Sequence, residues 1–127
     1  MGILGSHHIA VATPNLERLV AFYTGVLGFP VVGHIGDGIT FVDIGGTRLE
    51  LIEKPEITQP QEENRKGPMH IAFEVDDVQR TCQDLAQKGV QFHIPAREAR
   101  PGIWVAFFRD PDGNVLELFR ATPEALA

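Results

Sequence analysis

A chain of 127 residues, 43% of them hydrophobic and 22% charged, carries one domain's worth of core and needs no covalent staples to hold it. Eleven basic residues against seventeen acidic ones give a net charge of −6, the wrong sign for a nucleic-acid binder, and no stretch approaches the roughly 18 consecutive apolar residues of a membrane helix. Cys82 is the only cysteine, which excludes an intrachain disulfide; with no signal-like N-terminus it leads us to expect a cytoplasmic protein whose partners are a small molecule and a second copy of itself.

In chain order, residues 8–12 alternate as a strand does, with Ile9 and Val11 on one face and His8, Ala10 and Ala12 on the other. The large aliphatics suit a face covered by a helix, and a His followed by small alanines leaves space opposite. Thr13-Pro14-Asn15 predicts a helix start, with a capping side chain and Pro in the first turn. Leu16, Leu19, Val20, Phe22, Tyr23, Val26 and Leu27 keep helical spacing until Gly28 closes the helix. Strand-like runs follow at 29–34, 39–44 and 48–53, parted by Gly-Asp-Gly at 36–38 and by Gly45-Gly46, a hairpin signal. Residues 54–67, rich in Pro, Gln and Glu, predict a solvated linker.

The pattern then restarts. Ile71, Phe73 and Val75 oppose His70, Ala72 and Glu74, and a helix opens at Asp76-Asp77 with Val78, Cys82, Leu85 and Ala86 as its apolar stripe and Gly89 as its end. Strands are expected at 91–94, 103–109 and 115–120. Between the first two lies a predicted loop holding Arg97, Arg100, Pro101 and Gly102; before the third comes the turn Asp110-Pro111-Asp112-Gly113. Trp104 is read as an apolar strand residue beneath that loop, Cys82 as core, Arg48, Arg97 and Arg100 as solvated, and residues 121–127 as a loose tail.

Both copies open on His-Ile-Ala and close on Leu-Glu-Leu, so each half reads strand–helix–strand–strand–strand. Half this length is too short to bury a sheet face well, and an α+β fold of two paired βαβββ modules follows, forming a curved mixed sheet around a shared concavity. The first module covers about 7–54, the linker about 55–67 and the second module about 68–120. Each His lies on the first strand of its module and each Glu on the last: His8, Glu50, His70 and Glu117. Singly, a strand His is read as a structural residue and the Glu of Leu-Glu-Leu as the solvent-facing position of a half-buried strand. Together, two imidazoles and two carboxylates in a partly apolar concavity call for a cation, and they suit a divalent metal such as Zn, Fe, Ni, Co or Mn.

The chain resembles the vicinal oxygen chelate superfamily, which takes in glyoxalase I, methylmalonyl-CoA epimerase, extradiol dioxygenases and the fosfomycin and bleomycin resistance proteins. The resemblance spans nearly all of residues 7–120 and rests on His8-Ile-Ala-Val, on Ala21-Phe22-Tyr23 running into Val26-Leu27-Gly28-Phe29, on His70-Ile-Ala-Phe-Glu-Val-Asp-Asp, and on Phe108-Arg-Asp-Pro-Asp-Gly-Asn-Val-Leu-Glu-Leu. It implies paired modules around a metal, with His8, Glu50, His70 and Glu117 on the ligand positions. His7, the neighbour on the strand, is set aside because alternation turns its side chain to the opposite face.

Members of the superfamily share chelation of adjacent substrate oxygens, which stabilises an enediolate or enolate and lets a neighbouring C–H lose its proton. The full four-ligand set resembles the lyase and isomerase branch, in which a ligand carboxylate serves as base; Glu117 and Glu50 are the candidates. Two departures argue against a glutathione hemithioacetal as substrate: Ala12 stands where such enzymes carry Arg, and Lys54 where they carry Asn. The alternatives are an extradiol-type dioxygenase, which uses two His and one carboxylate, and a resistance protein that sequesters a drug without metal. The resemblance also implies a homodimer, which exposed sheet edges favour.

Overall fold

A computed structural model describes residues 2, 4, 6–64 and 70–126. The end of the expected linker, 65–67, and the first two positions of the second module, 68 and 69, lie outside the described residues. The chain divides into two compact units, Met1–Asn64 and Arg65–Ala127.

The first unit runs β1 (His8–Thr13), α1 (Leu16–Ala21), a π-helical turn (Phe22–Val26), β2 (Val31–Ile35), β3 (Ile39–Asp43), β4 (Arg48–Glu53) and α2 (Pro60–Asn64). Its four-stranded sheet has the order β1-β4-β3-β2, with β1 parallel to β4 and the remaining pairs antiparallel. The second unit repeats the plan with β5 (Ile71–Glu74), α3 (Val78–Gln87), β6 (Phe92–Arg100), β7 (Ile103–Arg109) and β8 (Val115–Ala121), in the order β5-β8-β7-β6. Two mixed sheets, each with its helix between the first and second strands, make the α+β pair of βαβββ modules that the repeat predicts.

Strand alternation places the core where the pattern of large aliphatics put it. In the first unit Val11, Val42, Leu49 and Leu51 are buried with Leu19 and Tyr23 of the helical segment; in the second Phe73, Phe108, Leu116 and Leu118 are buried with Val78 and Leu85 of α3. Each fully buried Leu contributes about 2 kcal/mol relative to an exposed one. Both helices start on the same device: Asn15 Oδ1 accepts from Arg18 N at 3.1 Å, and Asp77 Oδ1 from Arg80 N at 3.0 Å.

Several boundaries differ from expectation, each for a reason that periodicity does not carry. Pro14 precedes the cap instead of filling the first turn, because Asn15 is itself the N-cap. The first helix is α-helical only to Ala21 and widens into a π turn, in which Leu27 N donates to Phe22 O at 3.1 Å. Thr24 Oγ1 donates to Val20 O at 2.7 Å within this segment, a side-chain bond that competes with the helical ladder. Gly28 then turns the chain at φ 81°. β2 begins two residues later than expected, since Phe29 N is spent on Tyr23 O and Pro30 has no N–H to give.

The loop expected around Arg97 and Arg100 is strand: β6 continues along β7 through three irregularities, pairing Arg97 with Val105 and Arg100 with Ile103. Pro95 falls at one of these irregularities on an edge strand, where its missing N–H breaks no ladder bond. The expected linker contains α2, whose last residue is docked: Asn64 Oδ1 accepts from Ala12 N at 2.9 Å, and Asn64 Nδ2 donates to Ala12 O at 3.0 Å. That amide satisfies one residue of the β1 edge as a neighbouring strand would. The expected loose tail is tied down as well, with Thr122 N donating to Gly102 O at 2.9 Å before a short helical turn at Pro123–Leu126.

Candidate metal centre

The register of each sheet builds its half of the site. Ala10 of β1 stands beside Glu50 of β4, and Glu50 beside Phe41 of β3; in the second unit Ala72, Glu117 and Phe107 occupy the same three columns. His8 sits two residues before Ala10 within β1 and so shares that face, and His70, immediately before β5, reaches the corresponding side by its contact with Glu117. The result is one His–Glu contact per unit: His8 Nε2 lies 3.4 Å from Glu50 Oε1, and His70 Nε2 lies 2.9 Å from Glu117 Oε1. The imidazole side chains are 35% and 42% exposed, whereas the carboxylates are 14% and 9% exposed. Open histidines over covered carboxylates follow from position, since β1 and β5 are edge strands and β4 and β8 are central.

Of the four predicted ligands, the structure thus brings His8 to Glu50 and His70 to Glu117. Among the described residues no three His, Cys, Asp or Glu side chains gather as a group able to hold a metal; the four come as two pairs, one in each unit. The donor chemistry fits a divalent ion, with an imidazole nitrogen and a carboxylate oxygen side by side in each pair. The environment of Glu117 fits too. Its carboxylate is buried, and among the described residues its one polar contact is His70 Nε2. A carboxylate removed from water in that way is costly unless a positive charge meets it.

Two aromatic residues of the site escaped the sequence reading. The His8 ring lies edge-on to Phe41, 5.5 Å between centroids at 71°, and the His70 ring to Phe107, 5.8 Å at 74°. Each Phe therefore touches the His and stands cross-strand from the Glu, walling the pair on one side. The signal for them is weak: Phe41 precedes Glu50 by nine residues and Phe107 precedes Glu117 by ten, so aligning the two copies on their glutamates misses the match by one. His7 also needs correction. It lies just before β1, where strand alternation no longer applies, and its Nδ1 is 2.9 Å from His8 Nδ1.

Beyond the pairs, His93 faces Phe107 at 6.3 Å; burial and then the charge of Arg109 push its imidazole below the ordinary value. Cys82 is half-buried on α3, and burial pushes its thiol up against a smaller opposing effect of a backbone hydrogen bond at Ala96. Trp104 lies within β7 between Glu98 and Arg120, not beneath a loop. The turn before β8 is organised by Asp110, whose Oδ1 accepts from Asp112 N and Asn114 N, both at 2.9 Å, and whose Oδ2 accepts from Asn114 Nδ2 at 2.7 Å. It is a structural hub that sets the entry of the strand carrying Glu117.

Two βαβββ modules, each bearing one His–Glu contact, define a two-module α+β protein. The family model described as the Glyoxalase/Bleomycin resistance protein/Dioxygenase superfamily matches residues 5–118, and the chain belongs to that superfamily. It is 35% identical over 107 residues to the mitochondrial methylmalonyl-CoA epimerase of Bos taurus, covering 76% of this chain and 59% of that protein. The chain thus spans little more than half the length of that relative. It is 32% identical over 124 residues to the metallothiol transferase FosB of Shouchella clausii, covering 93% of this chain and 81% of that one. Among solved structures, the glyoxalase family protein from Enterococcus faecalis superposes with a TM-score of 0.76 at 28% identity, over 94% of this chain and all of that one. No described helix is long and apolar enough to cross a membrane.

Proposed function

We propose that the chain is a metal-dependent enzyme of the lyase or isomerase type, which removes a proton from carbon next to a carbonyl in a small substrate bearing two adjacent oxygens. One observation carries this reading: Glu117 is a buried carboxylate whose one polar contact among the described residues is His70 Nε2 at 2.9 Å, repeated more openly by Glu50 and His8. In each unit an imidazole nitrogen, of His8 or His70, and a carboxylate oxygen, of Glu50 or Glu117, are the donors offered to a divalent cation. When bound, that cation withdraws electron density from the substrate carbonyl and makes the neighbouring C–H more acidic. Glu117 or Glu50 takes the substrate proton on a carboxylate oxygen and returns it for product formation. Phe41 and Phe107 wall each pair with apolar surface and keep each imidazole edge-on to it.

The likeness to an epimerase supports this branch and makes methylmalonyl-CoA the first substrate to assay. Pairing of two copies belongs to the same proposal, since the edge strand β2 leaves Val31, Val32 and Ile35 41%, 48% and 58% exposed. The decisive experiment is metal analysis of protein purified without a His tag, followed by exchange of the substrate C–H with deuterium from solvent. The expected result is one divalent ion per site and exchange that is lost in Glu117→Gln. Protein that takes up no metal and binds its ligand equally well as Glu117→Gln would be a sequestering protein. Oxygen uptake with catechols and Fe(II) would make it a dioxygenase.

A further inference from the structure

His7 holds a place that neither the repeat nor the family set explains, since the second copy carries Met69, not a histidine, before His70. Its Nδ1 lies 2.9 Å from His8 Nδ1, a hydrogen-bond length, so one of these two nitrogens carries a proton and the other accepts it. The His7 ring stands edge-on to His8 (centroids 5.2 Å, 86°) and to Phe41 (6.1 Å, 88°), and its carbonyl accepts from Arg48 Nη1 at 3.3 Å. His7 is therefore anchored by ring and by backbone against the residue that aims Nε2 at Glu50. We propose that His7 is a positioning residue that sets which nitrogen of His8 is free to bind a divalent cation. This rests on the metal reading given above.

A neutral imidazole has one N–H, and metal ligation through Nε2 requires that proton to be on Nδ1. His8 Nδ1–H then donates to His7 Nδ1, and His7 keeps its own proton on Nε2. Without a cation, Glu50 Oε1 faces His8 Nε2 and favours the proton there. His7 Nδ1–H then donates to a bare His8 Nδ1. Both arrangements hold two ring protons and both keep the 2.9 Å contact, so the pair changes tautomer without losing a hydrogen bond or releasing a proton. Among the described residues His70 has no such Nδ1 partner, and the proposal concerns the first His–Glu pair.

The test compares wild type with His7→Phe, which keeps ring volume without the hydrogen bond, and His7→Asn, whose amide can donate or accept at the same place. Histidine ring ¹⁵N shifts are read in metal-free protein at about pH 8.5, well above the ordinary imidazole value, and Co(II) affinity is read from its visible absorption. In wild type, Co(II) is expected to move the His8 proton from Nε2 to Nδ1. His7→Phe is expected to shift the metal-free His8 tautomer balance and to lower Co(II) affinity about 10–100-fold, with His7→Asn restoring most of it and His70 unmoved. The proposal is overturned if His7→Phe leaves the His8 shifts unchanged. It is also overturned if His7→Asn loses as much affinity as His7→Phe, which would make His7 a ligand. Wild type that takes up no Co(II) sinks the metal reading alone; the metal-free His8 shifts of His7→Phe then decide the tautomer coupling.

Discussion

The two units share one plan and support their His–Glu pairs differently. In the second, Glu117 is the more deeply covered carboxylate and its contact to His70 is the shorter, 2.9 Å against 3.4 Å for His8 and Glu50. Its strand also enters from a turn knotted around the buried carboxylate of Asp110, which accepts three hydrogen bonds. The first unit has a plain Gly45-Gly46 hairpin, where exposed Asp43 Oδ1 accepts a single bond from Gly45 N at 2.8 Å. What it has instead is a second imidazole, that of His7, against His8. The difference teaches that a repeated motif need not be supported in the same way: one pair is held by its strand entry and burial, the other by a neighbouring side chain.

The largest expected break in this comparison is at the carboxylates. Glu117→Gln should lower turnover about 10²–10⁴-fold and Glu50→Gln by less, because the more buried group is harder to replace with water. Steady-state rates with the metal found would show it, and equal losses would end the claim of asymmetry. In metal-free protein the sign reverses: removing the buried charge of Glu117 should raise the thermal midpoint more than removing that of Glu50.

Next come the turns. Asp110→Ala removes the acceptor of three buried hydrogen bonds and should cost about 3 kcal/mol in urea denaturation, against under about 1 kcal/mol for Asp43→Ala. A similar loss at both sites would mean that the Asp110 hub is not what holds the strand. Gly102→Ala should cost about 2 kcal/mol and Gly46→Ala about 1 kcal/mol. Both glycines have positive φ, but a Cβ at Gly102 would also meet Thr122 Oγ1 at 2.7 Å, whereas one at Gly46 meets nothing within 4 Å.

The smallest expected effect is at His93. Its folded-state value lies below the ordinary 6.5, so the unfolded chain binds more protons in between, and stability falls as pH drops through 6.5 toward the folded value. His93→Gln should flatten that slope in thermal midpoints taken between about pH 5 and pH 8. An unchanged slope would show that His93 does not contribute to it.

Much of the site was legible because alternation is a local property. Ile9 and Val11 against His8, Ala10 and Ala12, and the same contrast around His70, assign faces without any knowledge of the partner strand. Leu49-Glu50-Leu51 and Leu116-Glu117-Leu118 do so at the other end, with Leu49, Leu51, Leu116 and Leu118 buried on the opposite face as expected. Phe41 and Phe107 were not legible, because their contact with the histidines depends on which strand pairs with which and in what register. β6 was cut short for a related reason: its polar residues give no alternation, and only the partner β7 makes them a strand.

Sequence by itself determined the two-module plan, the open face of each first strand and which two histidines and two glutamates to single out, since each of these follows from period-two patterning repeated along one chain; that the four meet as two His–Glu pairs was decided by strand pairing. Tertiary structure alone decided that Asn64 closes one residue of the β1 edge, that Asp110 knots the turn before β8, and that His7 lies against His8. Those are contacts made by single polar groups across 52, four and one residues of separation. A hydrogen bond depends on where two atoms meet in space, and no periodicity in the residue types encodes that.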